Sequence, residues 1–152
     1  MHISAKADYA MRALLTLAAD RGTAPVKAET LATAQQLPVK FLENIMVDLR
    51  RAGLCHSQRG AEGGYRLARP ADRITVADVV RALDGPLAEV RGLRPEAAAY
   101  EGPAAHLQEV WVAARASLRS VLEEVSLADV VAGTLPEQVA KLLETPDAWA
   151  PR

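Results

Sequence analysis

The amino-acid sequence predicts a mainly α-helical fold that carries one small β-hairpin and, nearer the C-terminus, one long helix. Residues 37–51, LPVKFLENIMVDLRR, have the three-to-four spacing of apolar side chains that is typical of an amphipathic helix. Directly after it, AGLCHSQRGAEGGYRLA contains two short β-prone runs joined by a glycine-rich turn that carries Arg59. A helix followed at once by such a hairpin is typical of a winged helix-turn-helix, in which the helix enters the major groove of DNA and the hairpin, or wing, lies beside the minor groove. We therefore predict a winged helix-turn-helix domain over residues 1–85.

Two helices are predicted before this unit. The first covers residues 7–20, because its apolar side chains recur on one face, and Gly22 marks its end. The second, shorter helix covers residues 27–35. In the third helix Pro38 suits the first helical position, since its missing N–H would be unpaired there in any case. The buried stripe of the third helix is expected to consist of Phe41, Leu42, Ile45, Met46 and Leu49.

The hairpin strands are predicted over residues 54–58 and 64–68, with a tip that depends on three glycines. A fourth helix is expected to begin after Thr75, because threonine is a favoured helix cap. The run Asp-Gly-Pro at residues 84–86 breaks this helix. From residue 86 to residue 103 the apolar periodicity is poor, which predicts a linker loop.

A long helix is predicted over residues 104–125, because its apolar side chains alternate by three and four positions over almost three heptads. These seam residues are Leu107, Trp111, Ala114, Leu118, Val121 and Val125. A lone helix cannot bury such a seam, so we expect it to pack against the same helix of a second copy. Folding back onto its own domain is the alternative. Short helices are expected to complete this dimerisation region, residues 104–145, and residues 146–152 to form a tail.

Composition limits the classes of protein to which the chain can belong. It has 152 residues, of which 50% are hydrophobic, which suits one domain with a modest extension. The single cysteine, Cys55, excludes an intramolecular disulfide and suits a reducing compartment. No apolar run approaches the ~20 residues that cross a bilayer. We therefore expect a soluble, cytoplasmic protein without a membrane partner.

Charge is distributed unevenly along the chain, although the net charge is only −1. Residues 1–85 carry twelve Lys/Arg and nine Asp/Glu, whereas residues 86–152 carry six and ten. Between Arg50 and Arg73 there are six arginines and two acidic residues. This asymmetry favours contact between the N-terminal half and phosphates, although solvated surfaces often vary in charge by this much.

The polar residues of the third helix and the hairpin are the candidate DNA-binding residues. Lys40, Glu43 and Asn44 carry groups that pair with the edges of guanine, cytosine and adenine, and they lie near the helix start. Arg59 at the hairpin tip is expected to enter a narrowed minor groove, where the negative potential is enhanced. Phosphate contacts, which position a protein without specifying sequence, are expected from Arg50, Arg51, Ser57 and Arg66, and close backbone approach from Pro38. The alternative is an ordinary solvated helix face, with Arg59 paired to Glu62.

Four segments of the chain occur in an order that resembles one family of winged-helix transcriptional regulators. They are ISAKADYAMRALLTLA, the LPVKFLENIMVDLRRAGL helix, the SQRGAEGGYRLARP hairpin and the ITVADVVRALDGP helix. Together they resemble the family that includes the iron–sulfur regulator IscR, the nitric-oxide sensor NsrR and the cysteine-metabolism repressor CymR. The resemblance is strong over residues 1–86 and looser beyond. It implies a homodimer with crossed long helices on a palindromic operator, and a sensing loop that holds an iron–sulfur cluster in many members.

The sequence departs from this family pattern in the sensing loop. Residues 85–106 contain no cysteine, and Cys55 lies in the predicted hairpin, whereas cluster iron is held mostly by thiolates. Asp8 and His106 match positions that serve as non-cysteine ligands in some relatives, but without thiolates they make a poor cluster site. We therefore predict a member of this family with no cofactor and no metal. Cys55 is expected to be inert packing, with a redox switch as the alternative.

The chain carries no catalytic motif, since it lacks a GxSxG turn and a phosphate-binding glycine loop, and we do not expect an enzyme. The predicted function is a sequence-specific transcriptional regulator, a repressor, that binds double-stranded DNA as a homodimer. Two alternatives stay open. In one, the acidic C-terminal half binds a partner protein such as a metabolic enzyme. In the other, residues 87–106 bind a small-molecule effector, with Tyr100, His106 and Trp111 lining the pocket, although a partly exposed histidine is the simpler interpretation of His106.

Overall fold

The structure is a computed structural model that describes residues 1–151. These residues form seven α-helices, two antiparallel β-strands and three short 3-10 turns, which confirms the predicted mainly helical fold with a small hairpin. The helices are α1 (Ala5–Ala19), α2 (Ala28–Gln35), α3 (Val39–Arg51), α4 (Val76–Asp84), α5 (Leu107–Leu122), α6 (Leu127–Ala132) and α7 (Glu137–Leu143), and the strands are β1 (Cys55–Gln58) and β2 (Gly64–Leu67). No helix within residues 1–151 combines the length and the apolar character that crossing a bilayer requires.

The first three helices enclose one apolar core. Leu14 of α1, Leu31 of α2 and Ile45 of α3 are each 0% exposed and belong to the same cluster. Complete burial of one such side chain contributes about 1.5–3 kcal/mol, so the apolar spacing in the sequence sets how the helices face one another. The first helix begins where the Ser4 hydroxyl accepts a hydrogen bond from the Ala7 N–H at 3.0 Å, a cap that contributes about 1 kcal/mol.

Two details of α3 differ from the prediction. The predicted burial of Phe41 is wrong, because its side chain is 41% exposed and packs edge-on against the Tyr9 ring, with the centroids 5.6 Å apart. Pro38 is the N-cap rather than the first helical residue, since its backbone is extended and its carbonyl accepts from the Leu42 N–H at 3.0 Å. The remaining stripe residues are buried as predicted: Leu42, Ile45, Met46 and Leu49.

The wing is an antiparallel hairpin with a third extended segment beside it. Strand β1 pairs with β2 so that Ser57 lies opposite Tyr65. On the outer edge of β2, Val26 and Tyr65 exchange two backbone hydrogen bonds, of 2.8 and 2.7 Å. Val26 lies between the first two predicted helices, and local sequence patterns did not predict this pairing. It joins the wing to the start of α2 and so fixes the wing on two sides.

Gly63 and Gly64 are required because backbone atoms approach them closely. A Cβ on Gly63 would lie 2.2 Å from the carbonyl oxygen of Gln58, and a Cβ on Gly64 would lie 2.5 Å from that of Val26. Both distances are far below a van der Waals contact, so neither position accepts a side chain without movement of the backbone. The wing can therefore fold in this form only with glycine at both positions.

After α5 the chain returns to the winged helix-turn-helix. Thr75 caps α4 as predicted, and Ser126 caps α6 in the same way, each through reciprocal hydrogen bonds with an aspartate three residues further on. The two caps pair with each other in an antiparallel bridge. Leu127, the next residue, is 0% exposed inside the core of the first three helices. Val125 is also buried in its own chain, at 5% exposure, and therefore does not belong to the exposed seam predicted for the long helix.

The long helix α5 is shorter than predicted and contains no buried residue. Trp111 is 37% exposed and Val110 is 54% exposed. The other predicted seam residues within the helix are half-buried or exposed: Leu107, Ala114, Leu118 and Val121. The preceding segment is irregular, as predicted for residues 86–103, and it extends to residue 106, with 3-10 turns at Pro95–Ala97 and Gly102–Ala104. Thus α5 presents an apolar face that the described part of the chain leaves uncovered.

Candidate nucleic-acid interface

One face of α3 is polar and open to solvent. Its buried residues point into the core, and the opposite face carries all five of the polar α3 residues predicted to meet DNA. These residues are exposed: Lys40, Glu43, Asn44, Arg50 and Arg51. Pro38, directly before the helix, is exposed as well. The three wing residues predicted to meet DNA are also exposed: Ser57, Arg59 and Arg66. We call the five side chains of α3 and the three side chains of the wing, taken together, the α3–wing surface.

The helix and the wing are connected through this surface. The Arg50 guanidinium donates to the Ser57 hydroxyl at 3.2 Å, so the last turn of α3 contacts β1. Arg66 donates to the side-chain carbonyl of Gln58 across the hairpin at 3.4 Å. A groove of about 470 Å³ lies between the two elements and is lined by Glu43, Arg50 and Arg59 among others. Helix and wing thus form one continuous surface.

Several hydrogen-bond donors on this surface have no intramolecular partner among the described residues. Within residues 1–151, the side chains of Lys40, Asn44 and Arg59 make no hydrogen bond or ion pair. The pairing of Arg59 with Glu62, the alternative weighed from the sequence, is not present among these residues. A guanidinium at an exposed tip without an intramolecular partner is available to an external anion.

The underside of the surface is closely packed. Lys6 of α1 contacts the Asp48 carboxylate of α3 at 2.5 Å, and this hydrogen-bonded ammonium lowers the pKa of Asp48. Burial raises the pKa of the Cys55 thiol to about 11, and its Sγ lies 3.7 Å from the Met46 carbonyl oxygen. Burial also raises the pKa of Tyr65, and the nearby Glu43 carboxylate adds to that effect. Polar groups below the surface are therefore held in neutral or paired forms.

Sequence reasoning missed one basic residue at this site. Lys27 is exposed, precedes the first residue of α2 and lines the same groove as Arg59. It reaches the groove because Val26 pairs with the wing, a long-range contact that local patterns do not reveal. The sequence signal that could have found it is a lysine directly before the helix that precedes α3.

The residues suggested for an effector pocket come together only in part. The Trp111 indole N–H donates to the Tyr100 hydroxyl at 3.1 Å, so α5 contacts the segment before it. His106 instead faces Glu109 on its own helix, with Nδ1 3.0 Å from the carboxylate, and is exposed. Tyr100 and Trp111 form a contact, whereas His106 has a separate partner.

Comparison with known proteins identifies the family. The Rrf2 family model, described as iron-dependent transcriptional regulators, matches residues 3–133. The chain belongs to the Rrf2 family. It is similar to Rv1287 of Mycobacterium tuberculosis H37Rv, provisionally named a helix-turn-helix transcriptional regulator, with 51% identity over 144 residues that cover 95% of this chain and 89% of that protein. It is also similar to the transcriptional regulator CymR of Bacillus subtilis, with 35% identity over 140 residues that cover 92% of this chain and 96% of CymR.

Solved structures share the fold of this Rrf2-family chain. The structure of CymR, the global cysteine regulator of B. subtilis, has a TM-score of 0.74 at 34% identity and covers 88% of this chain and 98% of CymR. IscR of T. potens has a TM-score of 0.69 at 33% identity and covers 88% of each chain. These likenesses confirm the family resemblance and the winged-helix fold read from the sequence. The names of the family and its relatives describe transcriptional regulators, not enzymes, and this chain is a DNA-binding transcriptional regulator.

The Rrf2 family is described as iron-dependent, but the described part of this chain does not offer a set of ligands that fits iron. Cys55 is the only cysteine of the chain and is buried at the start of β1, in the base of the wing. Asp8 lies 3.7 Å from Arg12, and His106 faces Glu109. Across the described residues, no three side chains of His, Cys, Asp or Glu are grouped as a metal site requires. Because an iron–sulfur cluster is bound mainly by thiolates, this donor set does not fit one.

Proposed function

We propose that this Rrf2-family chain is a homodimeric, sequence-specific repressor that binds a palindromic operator in the cytoplasm without an iron–sulfur cluster. The observation that carries the proposal is the α3–wing surface. It combines exposed, unpartnered hydrogen-bonding side chains with a closely packed base that holds helix and wing in fixed relation. Such pre-organised donors suit the grooves of a duplex better than a mobile surface would.

In this proposal the first turns of α3 read base edges in the major groove. Lys40 and Asn44 lie four residues apart and therefore on the same side of the helix. Lysine donates to guanine, and asparagine pairs in bidentate fashion with adenine. Glu43, next to them, accepts from cytosine. Pro38, as the N-cap, sets the distance at which α3 meets the duplex.

The wing and the last turn of α3 supply the electrostatic contacts. Arg59 enters the minor groove beside the site that α3 reads, where a narrow groove has the most negative potential. Phosphate oxygens are contacted by Arg50, Arg51, Ser57 and Arg66. Lys27 joins them, since it lines the same groove as Arg59. These contacts fix the register of the protein on DNA, and α3 discriminates sequence.

The uncovered apolar face of α5 supports the homodimer. Trp111 and Val110 are exposed large apolar side chains on a helix with heptad spacing, which is typical of helix pairing. Each chain carries one α3–wing surface, so a two-fold pair of chains places two such surfaces on two half-sites about one helical turn (~10 bp) apart. The seam in this proposal ends at Val121, since Val125 is buried in its own chain.

The test is the salt dependence of binding by Arg59→Ala. Duplexes would first be selected from a random pool by the wild-type protein, and affinity would then be measured across a salt series. Loss of one phosphate-region contact should weaken binding and lower the slope of log affinity against log salt by about 0.9. The matched control is Arg91→Ala, which removes an exposed arginine outside the α3–wing surface and should change neither value.

Two outcomes would contradict the proposal. If no sequence is enriched from the random pool, the chain is not a sequence-specific binder. If Arg59→Ala and Arg91→Ala give the wild-type slope, the wing does not contact DNA.

A further inference from the structure

Four arginines surround a cavity at the junction of α4, the segment before α5, and α5 itself. The cavity has a volume of about 450 Å³, within the usual range for small-molecule sites. Its charged lining residues are Arg81, Arg94, Glu96, Arg115 and Arg119. Leu87 and its neighbours supply an apolar wall. We call this space the arginine cavity. It is separate from the α3–wing surface, with which it shares no lining residue.

The cations of the arginine cavity outnumber the anions that pair with them. Glu96 forms an ion pair with Arg115, whose side chain is only 22% exposed. Glu123 pairs with both Arg81 and Arg119, the latter at 2.9 Å. Four guanidinium groups thus meet two carboxylates, which leaves an excess of two positive charges.

Arg94 carries much of this excess. Its side chain makes no hydrogen bond or ion pair within residues 1–151, although it lines the cavity. It is also exposed, so a ligand can reach it from solvent. A planar guanidinium with free donors is the preferred protein partner of carboxylate and phosphate oxygens.

We propose that the arginine cavity binds a small dianion whose oxyanion groups are carboxylates or a phosphate. A dianion matches the two excess positive charges, and Leu87 with the adjacent Pro86 accommodates a short apolar body. Arg94 supplies the first contact. The ligand then competes with Glu96 for Arg115 and with Glu123 for Arg119.

Binding at this position would affect the link between the two functional parts of the chain. Glu123 joins Arg81 of α4, in the DNA-binding unit, to Arg119 of α5. An anion that takes over these arginines weakens the link and changes how α5 is held against α4. The anion is therefore an effector of DNA affinity, an inference that rests on the proposed function.

The anion site is tested by isothermal titration calorimetry on the intact protein without DNA. The probes are inorganic phosphate and succinate, with sodium acetate at matched ionic strength as the monoanion control. We expect phosphate or succinate to bind, and Arg94→Gln to weaken that binding at least tenfold. Arg94 makes no hydrogen bond or ion pair within residues 1–151, and its charge only adds to the effect of Arg115 in lowering the pKa of the exposed Glu96 carboxyl, so this variant should fold normally. Arg91→Gln removes a charge from the same segment outside the cavity lining and should bind like the wild type.

The two probes separate the sources of the oxyanion. Binding of phosphate alone identifies a phosphate-bearing ligand, and binding of succinate alone identifies a dicarboxylate. The proposal is overturned if neither probe binds, if acetate binds equally well, or if Arg94→Gln binds as tightly as the wild type.

The regulatory step is tested separately, by measuring affinity for the selected duplex with and without the bound probe. A change in DNA affinity in the wild type that is absent in Arg94→Gln supports it. Unchanged DNA affinity at saturating probe overturns the effector role. Because the calorimetry involves no DNA, failure of the anion site and failure of the proposed DNA-binding function are distinguishable.

Discussion

The α3–wing surface and the arginine cavity are both rich in arginine, but the chain builds them in different ways. On the α3–wing surface, Arg59 has no intramolecular partner among the described residues, and the backbone beneath the wing is closely packed around Gly63 and Gly64. In the arginine cavity, Arg81, Arg115 and Arg119 are paired with carboxylates, and the helix that carries two of them has no buried residue.

This difference matches the two uses proposed for the same kind of side chain. A free guanidinium group can bind a phosphate without breaking an existing pair, and a backbone that is already fixed needs no further ordering, which suits a duplex. Guanidinium groups that already hold carboxylates exchange one anion for another, which suits a response to a small ligand. The wing is held by short backbone contacts on two sides. At the α4–α5 junction, Leu122 of α5 packs against the apolar cluster that contains Val80 of α4, and the ion pairs beside this contact are partly exposed and contribute little stability in water.

The largest effect is expected from Gly63→Ala, which tests the rigid base of the α3–wing surface. The added Cβ would lie 2.2 Å from the Gln58 carbonyl oxygen, so the wing must distort. Overpacking of this kind costs about 1–3 kcal/mol, which corresponds to a decrease in Tm of roughly 3–10 °C. DNA affinity should fall at least tenfold. Thermal unfolding and a mobility shift measure the two effects.

The matched control for this variant is Gly22→Ala. Its added Cβ would meet only the Asp20 side chain, at 3.5 Å, which is an ordinary contact. If Gly63→Ala keeps the Tm and DNA affinity of the Gly22 variant, the base of the wing is not rigid, and the α3–wing surface and the arginine cavity do not differ in this respect.

The next largest effect is expected from Ala114→Glu, which tests whether α5 depends on a second copy. Ala114 is exposed in the middle of the proposed seam, so a buried carboxylate would oppose pairing. Sedimentation velocity should show monomers at concentrations where the wild type is a dimer. Operator affinity should then fall by about 100-fold, because two linked half-site contacts become one.

Ala116→Glu provides the comparison for the seam. Ala116 is exposed and lies two residues further along α5, on nearly the opposite face. The Ala116→Glu substitution should leave the dimer intact. A dimer that survives Ala114→Glu would mean that another surface joins the chains.

The smallest effect concerns Cys55, which reports whether the base of the wing opens. Burial raises the pKa of its thiol to about 11, so the native protein should react with a thiol reagent at pH 7.5 far more slowly than the unfolded chain. The folded state favours the protonated thiol. Its contribution to stability is therefore complete below the ordinary pKa of 9.0 and is lost as the pH rises towards about 11.

This pH dependence is measured as the difference in free energy of unfolding between the wild type and Cys55→Ala, which should shrink over that interval. Rapid native labelling at neutral pH would show that the wing base opens readily. It would also favour the alternative role of Cys55 as a redox switch.

Local patterns predicted those parts of the fold that depend on local forces. The apolar spacing of α3 identified Leu42, Ile45, Met46 and Leu49, because a helix that packs on a core must bury one face. The same spacing placed Phe41 inside, although it lies at the edge of the stripe and covers Tyr9 instead. Whether a side chain at the edge of the stripe is buried depends on its position relative to a neighbouring helix. The spacing of apolar residues along one helix does not give that position.

Contacts between distant segments were beyond the reach of these patterns. The pairing of Val26 with Tyr65 and the bridge between Thr75 and Ser126 join residues far apart in the chain. Both determine features of the site: the first brings Lys27 to the α3–wing surface, and the second removes Val125 from the seam. The arginine cavity is likewise assembled from separate elements, so its charges appear in the sequence only as scattered arginines.

The burial of Leu127 has a consequence for how the molecule can be divided. This side chain completes the core of the first three helices although it follows α5, so the polypeptide that reads DNA is discontinuous along the chain. An N-terminal fragment ending before α5 would contain every predicted DNA contact, but its core would have a cavity where the Leu127 side chain is missing. Gene fusions and truncations that treat the first half as a portable module would inherit that defect, and so would any natural rearrangement that separated the two halves.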